Sequence, residues 1–86
     1  MEINSLTKIL REKLIKKINI SSLKIEDKSF LHKKHQNFNK DKFHIKLTIE
    51  SSELRKVSTI EANRKIYDIL KDEMNRSIHS LQIIIV

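Results

Sequence analysis

Not one of the 86 residues is glycine. Glycine is the residue that enters left-handed backbone conformations without steric cost. Every turn in this chain must therefore keep φ negative or place Asn, Ser or Lys in the left-handed region at a penalty. The constraint falls on residues 51–57, a polar turn between two periodic stretches. It also removes whole classes of site, because no glycine-rich phosphate loop can be built.

The most regular stretch is residues 58–86. Ser58-Thr59-Ile60-Glu61 fits a capping box, in which the serine hydroxyl accepts from the Glu61 amide and the glutamate reaches back to the serine amide. Ala62, Ile66, Ile69 and Leu70 then recur at the spacing of one helical face, with Asn63 among them, while Arg64, Asp68, Lys71 and Asp72 fall opposite. Met74 ends the pattern, and Asn75-Arg76-Ser77 forms the exit. Ile78-His79-Ser80-Leu81-Gln82-Ile83-Ile84-Ile85-Val86 is rich in β-branched residues and reads as a strand with a histidine at its entry.

Upstream, Ser5 predicts an N-cap, and Leu6, Ile9, Leu10, Leu14 and Ile18 trace a helical face opposed by Lys8, Arg11, Glu12, Lys16 and Lys17. This helix has no Trp or Phe anchor, so it reads as packing on a sheet rather than lying on a membrane. Leu23-Lys24-Ile25-Glu26-Asp27 alternates as a short strand. Phe43, Ile45, Leu47 and Ile49 alternate with His44, Lys46, Thr48 and Glu50 as a second strand, with His44 on the polar side. Residues 29–42 show no sustained periodicity and read as a mobile loop. The order helix–strand–strand–helix–strand predicts an α+β fold, a small single domain over residues 1–86. Its three-stranded mixed sheet is built from two antiparallel strands, a right-handed crossover and a third strand, with helices packed on one face.

The chain has no cysteine, hence no disulfide, thiol nucleophile or thiolate ligand of its own. Its first residues lack a basic region followed by an apolar run, and nothing approaches the ~18 apolar residues of a membrane span. A soluble, cytoplasmic protein is expected. The formal charge of +7 invites a nucleic-acid reading, but only Arg11, Arg55, Arg64 and Arg76 are arginine, and the remaining lysines can serve as solvated surface.

His32 and His35 are spaced H-x-x-H, either a weak metal signal or part of a solvated basic loop. His79 shares parity with Leu81, Ile83 and Ile85, so it is either a partly buried histidine bonded to backbone or a ligand on a rigid mount. His44 reads as surface. Asp68 and Asp72 are a solvated i,i+4 pair rather than an acid–base couple, and no Ser-His-Asp spacing is present, so an enzyme is not expected. The element order resembles KH-type folds, which clamp RNA with a GXXG loop that this chain cannot contain. Aromatic stacking platforms are scarce, with only Phe30, Phe38, Phe43 and Tyr67.

Across residues 6–81 the chain resembles the BolA-like proteins, whose fold is class II KH-like. Residues 23–32 are similar to the family's first strand and its D-x-S-x-x-H pattern, here Asp27, Ser29 and His32, and His35 matches a second loop histidine of some members. Phe43-His44-Ile45-Lys46-Leu47 is similar to the second strand, and Arg64-Lys65-Ile66-Tyr67 with Leu70 to the end of the R-H-R-x-(V/I)-Y-x-x-L helix motif. Ile78-His79-Ser80-Leu81 matches the hallmark I/V-H-A-L with serine for alanine. Ala62 and Asn63 stand where that helix motif begins R-H. Leu54-Arg55-Lys56 replaces the usual F-x-G, in a segment about two residues longer than usual.

The resemblance implies a partner of monothiol glutaredoxins in iron–sulfur cluster handling or iron sensing, with a [2Fe-2S] cluster shared by the two proteins and no cofactor in the isolated chain. The glutaredoxin cysteine and a glutathione thiolate would hold one iron. Carried over by position, His79 and His32, or His35 in place of His32, would hold the other. Histidine can replace cysteine on one iron of such a cluster and makes ligation sensitive to protonation. Contact with a partner or nucleic acid is expected at Arg64, Lys65, Arg76 and Ser77. The alternative the family offers is a DNA-binding transcriptional regulator with a stress-response role; a weak homodimer and a cluster-free adaptor are further readings.

Overall fold

A computed structural model describes residues 2–29 and 42–86. The elements run α1 (Ile3–Lys17), β1 (Ser22–Asp27), β2 (Phe43–Glu50), α2 (Ser52–Arg55), α3 (Thr59–Ile69), α4 (Lys71–Arg76) and β3 (Ile78–Ile85). β2 is the central strand of a three-stranded sheet, antiparallel to β1 and parallel to β3. The parallel pairing requires a crossover, and the helices after β2 supply it.

Alternation in the strands decides which face receives the helices. The register sets Leu23 beside Ile49 and Ile25 beside Leu47 on one flank of β2. On the other flank it sets Ile49 beside Ile85 and Leu47 beside Ile83, so that apolar rows cross the whole sheet. Against them pack Leu6, Leu10, Leu14 and Ile18 from α1 and its exit, and Ala62, Ile66 and Leu70 from α3 and its C-cap, all buried. The expected α+β architecture, with a mixed sheet and amphipathic helices, is the one observed. None of the described helices is long and apolar enough to cross a membrane.

Several details depart from the sequence reading. α1 begins at Ile3, with Glu2 as an N-cap that makes no side-chain bond, rather than at a Ser5 cap. Ile3 packs against the core and extends the Leu6–Leu10 face by one turn, which outweighs a capping hydroxyl further in. Residues 51–57 are more than a turn. The buried Ser51 accepts from the Leu54 amide at 3.2 Å, capping α2, and its hydroxyl donates to the Asn19 carbonyl at 2.8 Å. One serine thereby ties the α1–β1 link to the end of β2. No described residue has a positive φ. Extended Ser51 and Ser58 and a right-handed Lys56 make the connection, so the lack of glycine is met without strain.

The predicted cap of the next helix forms in half: Ser58 Oγ accepts from the Glu61 amide at 3.1 Å, while the exposed Glu61 carboxylate makes no return bond. The long helix expected after Ser58 is divided at Leu70, whose φ of −100° and ψ of 19° leave the helical region. The ladder still passes through it, with the Leu70 amide donating to Ile66 O at 3.0 Å and the Met74 amide to Leu70 O at 2.8 Å. The turn that follows brings the buried Glu73 to Lys13, whose Nζ donates to both carboxylate oxygens at 2.9 and 2.8 Å. That pair crosslinks α4 to α1.

A second acidic crosslink has a pH signature. Glu53 of α2 accepts from Lys65 Nζ at 2.6 Å and from the Asn19 amide at 3.4 Å. Chiefly the lysine hydrogen bond, then the amide, holds its carboxyl below the usual glutamate value. A depressed carboxyl contributes stability that is present above the unfolded value, about 4.3, and lost as the pH falls through the lower folded value. Glu53→Gln is therefore expected to flatten the loss of stability between about pH 5 and pH 3, read from urea midpoints.

Candidate functional site

The site is built by an irregularity in the β2–β3 pairing. Phe43 pairs with Ile78, but His44 pairs with Ser80, so β3 carries one residue more than β2 across this step. The extra residue is His79. Ile78 before it is 2% exposed and sits in the core, and Leu81, Ile83 and Ile85 after it pack on the core again. Uninterrupted alternation from Leu81 would send His79 inward with them; alternation from Ile78 would send it outward. The bulge satisfies both neighbours and leaves His79 exposed. The reading of His79 as a partly buried, backbone-bonded histidine is corrected for this reason.

His44 is not plain surface either. It is half-buried, with its ring centroid 4.9 Å from that of His79 and the two planes inclined at 58°. Its Nδ1 lies 2.6 Å from Ser80 Oγ. Sequence reasoning passed over this residue, although a signal existed. If two strands are parallel neighbours with aligned starts, Phe43-His44 and Ile78-His79 must place their histidines side by side.

The same end of the sheet holds the exit of β1. The Ser29 amide donates to Asp27 Oδ1 at 2.9 Å, and the buried Ser29 hydroxyl accepts from the His44 amide at 3.1 Å. The Lys28 amide donates to His44 O at 2.7 Å, and the Phe43 amide to Ser77 O at 2.8 Å. Asp27 and Ser29 of the D-x-S-x-x-H pattern therefore fasten the chain to the backbone of His44. Ser29, the last described residue before the segment containing His32 and His35, is bonded to the His44 amide, and Lys42, the first described residue after it, stands two positions before His44 in the chain. His32 and His35 themselves are outside the described residues. Beside this end, Lys28 Nζ is 2.9 Å from Glu26. That hydrogen bond first, then the charges of Lys24, Lys28 and Lys46, holds the Glu26 carboxyl below its usual value.

The expected contact residues are not equivalent. Arg64 and Arg76 are exposed, and Lys65 is exposed while paired to Glu53 at 2.6 Å. Ser77 is 5% exposed, its amide donating to Glu73 O and its carbonyl accepting from Phe43. It joins α4 to the sheet, and this burial, imposed by the Ile78 anchor beside it, leaves little of it for a partner to touch.

The arrangement offers imidazole nitrogen and no thiolate: one exposed histidine on a bulge and a second against it. Comparisons with known proteins agree with the fold and identify the lineage. A family model described as BolA-like protein matches residues 14–86. The DNA-binding transcriptional regulator BolA of Haemophilus influenzae is 32% identical over 77 residues, spanning 90% of this chain and 72% of that protein. SufE-like protein 1, chloroplastic/mitochondrial, of Arabidopsis thaliana is 32% identical over 80 residues, which cover 87% of this chain but only 22% of that longer protein. The solved BolA domain of SufE1 from Arabidopsis thaliana superposes with a TM-score of 0.78 at 30% identity, over 99% of this chain and 92% of that one. This chain belongs to the BolA-like protein family.

Proposed function

We propose that this BolA-like chain is a non-enzymatic, cytoplasmic partner of a monothiol glutaredoxin and shares with it a [2Fe-2S] cluster, in iron–sulfur cluster handling or iron sensing. The glutaredoxin cysteine and a glutathione thiolate hold one iron, and His79 with His32 or His35 holds the other. The observation that carries this reading is the exposure of His79 on a bulge whose neighbour, Ile78, is fixed in the core. A ligand shared between two proteins must be reachable from outside yet held by a rigid element, and the bulge meets both demands.

The donor set fits the group. A chain without cysteine can reach iron through imidazole, as on the histidine-ligated iron of Rieske-type clusters. Within this chain, Asp27 and Ser29 set the departure of the histidine segment. His32 follows Ser29 by three positions, which limits their Cα separation to about 11 Å of extended chain. Exposed Arg64 and Arg76, with Lys65, present basic contacts to the partner.

Titration into cluster-loaded monothiol glutaredoxin is expected to give a new visible absorption and circular dichroism spectrum at one-to-one stoichiometry. His79→Ala is expected to alter that spectrum, and one of His32→Ala and His35→Ala to alter it as well. An unchanged spectrum, with the glutaredoxin homodimer intact, contradicts the proposal.

A second reading, binding of DNA as a transcriptional regulator, is favoured by the name of the Haemophilus influenzae relative and by the charge of +7. Against it, Ala62 and Asn63 occupy the start of the helix motif. Charge-driven binding falls with salt at a log–log slope of about −0.9 per phosphate contacted. Under this reading a preference for one duplex sequence survives moderate salt; a preference that vanishes with the salt leaves only charge.

A further inference from the structure

We propose that β3 is a self-association edge. It pairs antiparallel with β3 of a second copy of this chain, about a two-fold axis at Ile84, and joins two sheets into one of six strands. The proposal does not rest on the glutaredoxin reading.

Charge singles this strand out. Charged residues make up 34% of the chain, and every described helix and strand except β3 carries a Lys, Arg, Asp or Glu side chain. Yet β3 lies at an edge of the sheet, where charges ordinarily keep a strand from pairing with other chains. The opposite edge, β1, is guarded in that way. It bears Lys24, Glu26 and Asp27, and Arg11 Nη1 donates to the Leu23 carbonyl at 3.2 Å.

The backbone of β3 is open over a definite length. The Val86 amide donates to Ile49 O at 2.9 Å, so it points toward β2. The Leu81 carbonyl points the other way and accepts from the Tyr67 hydroxyl at 3.2 Å. Backbone groups alternate in direction along a strand, so Ile83 and Ile85 turn amide and carbonyl out from the sheet. Among the described residues, no hydrogen bond reaches those four groups.

The four groups fix the register. In an antiparallel hydrogen-bonded pair the two residues exchange both bonds. Ile83 of each copy opposite Ile85 of the other gives four bonds between chains and leaves the Tyr67–Leu81 bond untouched. Ile84 then meets its own counterpart in a non-hydrogen-bonded pair, with Cα atoms about 4.5 Å apart. Ile83 and Ile85 pack on the core, so Ile84 lies on the face away from the helices, beside Thr48 of β2.

The occupant is a second copy because this edge is its own complement. A body of net charge +7 repels another like it, and β3 is where two copies meet without opposing like charges. The isologous contact sets Ile84 against Ile84, and Val86, 49% exposed, against the uncharged Gln82. His79 lies five residues from the axis, roughly 17 Å along the strand, so both copies keep it accessible.

The absence of cysteine makes the test clean. Ile84→Cys sets two thiols across the axis within disulfide reach, and oxidised glutathione is expected to convert it to a crosslinked dimer. Thr48→Cys, on the same face but one strand further from the axis, is expected to stay uncrosslinked. Sedimentation equilibrium of the parent chain over a concentration series is expected to show a monomer–dimer equilibrium. Ile84→Lys, which opposes like charges, is expected to weaken it about tenfold. Circular dichroism separates loss of pairing from loss of the fold. A further readout needs no variant: amide exchange at Ile83 and Ile85 is expected to slow as the parent is concentrated.

A parent that stays monomeric throughout, with exchange at Ile83 and Ile85 independent of concentration, overturns the proposal. So does a folded Ile84→Lys that associates as the parent does, or Thr48→Cys crosslinking as readily as Ile84→Cys. The cluster spectrum with glutaredoxin is read separately, so either proposal can fail without the other.

Discussion

The parallel pairing of β2 with β3, and the single residue by which the two strands fall out of step, is what the rest of the molecule is arranged around. β2 is paired on both sides and carries Ile45, Leu47 and Ile49, which face the apolar stripes of α1 and α3. Apolar rows need β3 in one register along Leu81, Ile83 and Ile85, while the end of α4 delivers Ile78 to the core by its own path. The two demands differ by one residue, and the strand absorbs it at His79. The residue that the mismatch leaves out of the ladder is a histidine, and it is exposed.

A chain with no glycine has to end and join its elements by other means, and serine hydroxyls take much of that work. Ser51 and Ser58 cap α2 and α3, and Ser29 fastens the exit of β1 to β2. A serine cap contributes about 1 kcal/mol when compared with alanine. These contacts also hold connections whose backbone stays in ordinary regions of φ and ψ. The Lys13–Glu73 pair adds a crosslink between the first helix and the last, with Glu73 9% exposed and the lysine more open. Burial makes the geometry of such a pair matter more than its charge, since removing one partner strands the other.

Much of the fold was legible because it is carried by periodicity. Leu6, Leu10 and Leu14 in α1, Ala62 and Ile66 in α3, and the alternation of β2 each repeat at the spacing of their element, and the Ser58 cap was visible as a motif. What was not legible depends on relations between elements. α2 is a single turn, too short for any period, and the division at Leu70 follows from where that side chain is seated rather than from a breaker residue. Lys13 and Glu73 are 60 positions apart, with no pattern linking them. The exposure of His79 was hidden because a period of two cannot register one inserted residue. The contact of His44 with His79 needs the strand order to be known first. The D-x-S portion of the loop pattern looked like part of a ligand motif, and Asp27 and Ser29 turn out to hold the backbone of His44.

The functional account reduces to one statement, that nitrogen atoms of this chain bind iron of a cluster held jointly with a glutaredoxin. The most direct measurement is pulsed electron paramagnetic resonance of the reduced complex, with this chain labelled with ¹⁵N and the glutaredoxin and glutathione left unlabelled. The account predicts strongly coupled ¹⁵N from imidazole ligands, with the coupling of one ligand lost in His79→Ala. A reduced cluster with no strongly coupled ¹⁵N from this chain would contradict it.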